Sequence, residues 1–124
     1  MRKILYQSRI YRKDLRCNPT VIYLFGDNEV RSGFGGQAKE MRGEPNAIGI
    51  RTKRLPTQNE DAYWSDDRFS RQVKMIDEDF DSIPDNVIVV IPLDGIGTGL
   101  SELPKRAPDT WSRINYRIKR LASA

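Results

Sequence analysis

Val21-Ile22-Tyr23-Leu24-Phe25-Gly26-Asp27-Asn28-Glu29-Val30-Arg31-Ser32-Gly33-Phe34-Gly35-Gly36-Gln37 is the stretch on which the reading of this chain turns. Its first five residues are apolar and mostly β-branched or aromatic, the composition of a buried strand. Four glycines within the eleven residues from Gly26 to Gly36 then let the backbone take positive φ and approach a ligand closely. The run Ala38-Lys39-Glu40-Met41-Arg42 that follows suits a helix start. Strand, glycine-rich loop and helix start together place backbone N–H groups around an anion.

A second loop of the same kind, Asp94-Gly95-Ile96-Gly97-Thr98-Gly99-Leu100, follows the apolar run Val87 to Ile91. Two such loops at the ends of two strands imply one phosphate-bearing ligand held between them. Neither is a Walker A loop, because no Lys-Ser/Thr follows the glycines. The first lacks the complete G-x-G-x-x-G spacing of a dinucleotide fingerprint.

Outward from these loops, Ile4 to Arg12 reads as a first strand whose basic residues suit a sheet edge. Asp14 to Pro19 reads as a turn, and Thr20 to Phe25 as a second strand buried on both faces. Gln37 to Arg42 gives a short helix, with Gly43 the left-handed residue past its end and Pro45 preventing continuation. Asn46 to Ile50 is a short third strand, running into the basic cluster Arg51, Lys53 and Arg54. Leu55 to Tyr63 reads as the longest loop.

Ser65 suits a helix N-cap with Asp66 and Asp67 in the first turn, and Phe69, Val73, Ile76 and Phe80 form one apolar stripe. Val87 to Ile91 is a fourth, central strand. The last helix runs from Ala107 to Leu121, with Trp111, Ile114, Ile118 and Leu121 on one face. The order β-β-α-β-α-β-α predicts an α/β fold spanning residues 1–124 as one domain. Its mainly parallel (mixed) sheet lies in the middle of three α/β/α layers, with ligands at the carboxyl ends of the strands.

The 124 residues contain no histidine, which removes Ser-His and Cys-His nucleophile pairs and histidine zinc sites. Chemistry falls to carboxylates, backbone amides, basic side chains or ordered water, and neither a metal nor a cofactor is expected. The single cysteine, Cys17, excludes an internal disulfide and fits a reducing cytoplasm. No apolar run approaches a membrane span, and the amino-terminal residues do not read as a signal peptide. The net charge of +4 is uneven: residues 1–17 and 105–124 each carry six basic and one acidic residue, and residues 58–86 nine acidic and three basic. Basic ends of this kind either contact nucleic acid or form the solvated faces of terminal elements.

Two separated motifs carry a family resemblance. Asp14-Leu15 before the buried strand, Asn28 after it, and Gly33-Phe34-Gly35-Gly36 resemble the first macrodomain loop; Ile96-Gly97-Thr98-Gly99-Leu100 after Val89-Val90-Ile91-Pro92 resembles the second. The resemblance covers residues 14–121 and is nearest to the small stand-alone form that tailed bacteriophages encode, which would place the protein in a host cytoplasm. Asp27 departs from it, standing where the family has a small residue, and so does Gln37-Ala38.

The resemblance implies binding of ADP-ribose or a related nucleotide. Asp14 would accept the adenine amino group beside the Leu15 backbone. Gly33, Phe34, Gly35, Gly36 and Gln37 would hold the diphosphate from one side, and Gly95, Ile96, Gly97, Thr98, Gly99 and Leu100 from the other. Asn28 would orient the distal ribose, and Asp27 or Asp94 would assist an attacking water. The expected activity is hydrolysis: removal of ADP-ribose from a modified macromolecule, or of a 1″-phosphate. A non-catalytic ADP-ribose-binding module is the alternative, and nucleic-acid binding through the basic ends a third. Arg31, Arg42 and Arg51 as phosphate partners, Glu102 as general base, and Tyr63 and Trp64 as stacking rings are further candidates, each with an ordinary surface or core role as the competing reading.

Overall fold

A computed structural model describes residues 1–123. The elements are β1 (Lys3–Gln7), α1 (Arg12–Cys17), β2 (Ile22–Asn28), α2 (Ala38–Met41), β3 (Ala47–Lys53), α3 (Phe69–Asp81), β4 (Ile88–Pro92), α4 (Leu103–Arg106) and α5 (Pro108–Arg120), with short 3-10 turns at Glu60–Ala62 and Asp66–Arg68. Every strand pairing is parallel, and the sheet order is β1-β4-β2-β3. β1 lies at an edge and β4 inside, as the residue patterns predict.

Alternation along the inner strands divides the core into two layers. Leu24, Val89 and Ile91 face Ile76 and Phe80 of α3 and Ile114 and Ile118 of α5. Tyr23, Phe25 and Val90 face Leu15 of α1 and Ala38 and Met41 of α2. The result is a three-layer α/β/α domain.

Several local expectations are corrected. The first strand stops at Gln7, and Asp14 to Pro19 is not a plain turn, because α1 occupies Arg12–Cys17. The Asp14 carboxylate accepts the Tyr11 amide at 2.9 Å and closes the first turn of that helix. The order is therefore β-α-β-α-β-α-β-α-α, and α1 supplies the crossover that carries the chain from β1 past β4 to β2.

On α3, Ile76 and Phe80 are buried but Phe69 is 39% exposed, the inner face being completed by Gln72 and Asp79. Both polar groups are satisfied: Gln72 accepts the Thr110 hydroxyl at 2.8 Å, and Asp79 binds arginines described below. Asp66 serves α5 rather than α3. It accepts the amides of Asp109 and Thr110, each at 3.0 Å, at the start of α5.

β3 also runs further than expected, to Lys53, and Arg51 within it is paired with Glu78 and Asp79. As an edge strand it presents outward backbone groups, and side chains take them. Asp79 accepts the Arg51 amide at 2.8 Å, and Arg31 donates to the Gly49 carbonyl at 2.7 Å.

Candidate functional site

The chain places β2 and β4 side by side but leaves them in different directions, toward β3 and toward α5. Their carboxyl ends form the switch point at which parallel α/β sheets bind ligands. A cavity of about 590 Å³ opens there, within the ~300–1,000 Å³ of small-molecule sites. It is walled by the loop after β2, the loop after β4 and the β1–α1 turn at Ser8–Tyr11.

Most of the residues singled out in the sequence meet in this cavity. Asp27, Asn28, Gly33, Phe34, Gly35, Gly36 and Gln37 line it from one side, and Asp94, Gly95, Gly97, Thr98, Gly99 and Leu100 from the other. Asp14, Leu15 and Ile96 are not among the lining residues. The Asp14 carboxylate is bonded to Tyr11 and to the Gln7 amide, both at 2.9 Å. Leu15 and Ile96 are buried in the two core layers.

The loop amides are the distinctive feature. Among the described residues, the N–H groups of Gly33 to Gln37 and of Ile96 to Ser101 have no protein acceptor. Of these residues only Ile96, Gly97 and Ser101 are buried, so solvent reaches most of the amides; two runs of open donors beside one cavity are nonetheless an arrangement an anion can use. Gly97 must be glycine here: its φ is +89°, and a Cβ would lie 2.6 Å from the buried Leu103 side chain. Its carbonyl accepts the Leu103 amide at 2.9 Å, which locks this loop onto α4.

Asp27 is an anchor for the first loop. Its carboxylate receives Arg42 at 2.6 and 3.3 Å, Arg31 at 3.2 Å and the Asn28 amide at 2.8 Å, and the residue is 5% exposed. Arg31 continues to Asp79 at 2.6 Å, which also holds Arg51. Asn28 shapes the next turn, donating to the Ser32 carbonyl at 2.7 Å and accepting the Val30 amide at 3.2 Å. Asp94 is exposed, and its carbonyl accepts the Thr98 hydroxyl at 2.9 Å.

Lys53 and Ser101 also line the cavity and were not singled out as site residues by sequence reasoning. A bulge between β2 and β3 sets Lys53, not Thr52, opposite Asn28. Lys53 is 6% exposed, and Nζ donates to the Thr57 carbonyl at 2.8 Å with no carboxylate paired to it among the described residues. Burial pushes its amine below the usual lysine range; Glu102 works against that shift and Arg106 adds to it. Ser101 is bonded to Thr52, whose hydroxyl donates to the Asp27 carbonyl at 3.0 Å, tying the second loop to β2. The available signal for Lys53 was its place in a basic cluster at the carboxyl end of a strand.

Among the described residues, no group of three or more acidic, cysteine or histidine side chains is placed to hold a metal ion, and no helix is long and apolar enough to cross a membrane. Fold and site together define a small parallel α/β/α domain with a cavity at its switch point. Over residues 5–117 the chain matches, and so belongs to, a protein family described as a family of unknown function (DUF7831). No curated protein and no solved structure matches it.

Proposed function

We propose that the cavity binds ADP-ribose or a derivative and hydrolyses it, in the manner of a small macrodomain-like enzyme. The observation that carries this reading is the pair of open amide runs, Gly33–Gln37 and Ile96–Ser101, beside one cavity. A diphosphate would take these donors, and backbone donors held rigid beforehand bind developing negative charge without reorganising. Both motifs that suggested the family contribute one run each.

The roles differ from those the sequence suggested. Asp27 and Asn28 hold the first loop, so their contribution to turnover is positional. Lys53 takes the chemical role: it lines the cavity, is buried and has no carboxylate partner among the described residues, and its amine would exchange a proton with the reacting groups at the distal ribose. The hydrolysis we propose is removal of ADP-ribose from a modified macromolecule or of a 1″-phosphate from ADP-ribose, in a reducing cytoplasm.

Calorimetry with ADP-ribose, ADP and ribose 5-phosphate tests the binding claim. ADP-ribose is expected to bind more tightly than either fragment, and equal weak heats from all three would refute the assignment. Release of ADP-ribose from a modified protein, followed in the wild type and in Lys53→Met, tests turnover. A loss of about 10²-fold or more is expected for a general acid–base group. The engagement of both Asp27 and Asn28 within the protein favours a second reading, a module that binds ADP-ribose without turnover. Tight binding with no product from the wild type would select it.

A further inference from the structure

Lys53 rests on Tyr63, at the end of the loop that follows β3. Nζ of Lys53 lies 4.4 Å from the centre of the Tyr63 ring, and Cζ of Arg106, at the end of α4, lies 3.6 Å from the same point. Both cations therefore stack on one ring. Arg106 is held there by Glu60 at 2.9 and 3.3 Å and by Glu102 at 3.3 Å. Tyr63 is fixed by its loop, in which the Arg54 and Leu55 amides both bond the Ala62 carbonyl, at 2.8 and 3.3 Å. The ring face attracts each cation, whereas the cations repel each other.

We propose that Tyr63 is a positioning residue that, with the Thr57 carbonyl, fixes the Lys53 amine at the edge of the cavity Lys53 lines, and that Arg106 on the same ring opposes the positive charge on that amine. The proposal rests on reading Lys53 as the reacting group. The charged groups that act on the amine are Arg106 on α4 and Glu102 at its start, with Glu60 bonded to Arg106; the Asp27–Arg42 pair lines the same cavity. Lys53 therefore has a ring that favours its protonated form and an arginine that disfavours it. The lowering of its proton affinity by Arg106 agrees in direction.

The two parts act with opposite sign, which makes them separable. The lysines of the ligand-free protein would be methylated reductively with ¹³C-formaldehyde, the Lys53 resonance identified by its loss in Lys53→Arg, and its titration followed by NMR. Arg106→Gln removes a cation and releases two carboxylates, so the Lys53 midpoint is expected to move up. Tyr63→Leu keeps apolar cover but removes the ring face, so the midpoint is expected to move down. Tyr63→Phe, which keeps the face, should leave it in place.

Midpoints that stay fixed, or that move in the same direction in Arg106→Gln and Tyr63→Leu, overturn the proposal. Should Tyr63→Leu fail to fold, Arg106→Gln against Arg106→Lys decides: the lysine retains the charge and should hold the midpoint, while the glutamine should raise it. Binding and turnover by the wild type report separately on the functional reading. If ADP-ribose neither binds nor reacts while the midpoints move as stated, the functional reading fails and only the opposed action of Tyr63 and Arg106 on the Lys53 amine stands.

Discussion

Asp27 accepts bonds from two arginines and a backbone amide while almost wholly out of water. Removing the carboxylate leaves Arg42, mostly out of water, without an acidic partner, and breaking a buried pair costs about 3–5 kcal/mol. Asp27→Asn is therefore expected to lower the urea midpoint strongly, and Arg42→Ala, which leaves Asp27 with Arg31 and the Asn28 amide, to lower it less. Affinity per folded molecule should fall far less than stability. If Asp27→Asn instead left the urea midpoint unchanged and abolished turnover, the carboxylate would be chemical rather than structural.

Lys53 should behave in the opposite way. Lys53→Met keeps the apolar stem and removes a buried amine with no carboxylate partner, losing its bond to the Thr57 carbonyl and its contact with the Tyr63 ring, so stability should change far less than in the Asp27 variants while turnover is lost. The difference between these residues was not legible in the sequence. Asp27 and Asn28 stand beside the glycines and drew attention by position, whereas Lys53 reaches the cavity through a bulge that depends on how β2 and β3 pair.

At the scale of elements, strand identity was legible because continuous apolar runs dictate buried parallel strands, and both glycine loops fall at strand ends as expected. α1 was not, since its six residues hold one buried side chain, Leu15, and no apolar stripe announces it. The capping role of Asp66 was also invisible, because the helix it caps begins more than forty residues later. Asp66→Ala is expected to destabilise the domain by about 0.5–2 kcal/mol, the usual worth of an N-cap, and to leave the cavity unaltered. A denaturation curve together with ADP-ribose calorimetry would check both halves. Gly97→Ala belongs to this scale too. The left-handed backbone alone costs about 1–2 kcal/mol, and Leu103 must also shift, so the second loop should lose both its amide alignment and its ligand.

For the whole molecule, the segregation of charge along the chain resolves into internal pairing. The acidic 58–86 segment meets both basic ends: Arg2 pairs with Asp85, Arg106 with Glu60, Arg113 with Asp77, and Arg117 with Asp77 and Asp81. Composition revealed the imbalance, and the fold supplies its reason, chiefly in the packing of α3 against α5.

Acid sensitivity follows from these pairs and caps. Burial raises the Asp77 carboxylate, but bonds from Arg113 and Arg117 outweigh it and hold the group below its ordinary value. The amides and hydroxyl at the start of α5 do the same for Asp66 against a similar opposition. A carboxylate lowered by folding contributes stability that is complete above its unfolded pKa, about 3.9 for Asp, and is lost as pH falls through the folded value. The urea midpoint should stay level from neutrality to about pH 5 and decline below about pH 4. Asp77→Asn should make that decline shallower, and an unchanged slope would remove the pair from the account.

The central claim is that two runs of open amides form one diphosphate site. A ¹H–¹⁵N correlation titration with ADP-ribose tests it most directly, because each amide reports for itself. The account predicts saturable shifts concentrated on Gly33 to Gln37 and Ile96 to Ser101, moving together with a single dissociation constant. Shifts confined to other surfaces, or an unchanged spectrum at millimolar ADP-ribose, would contradict it.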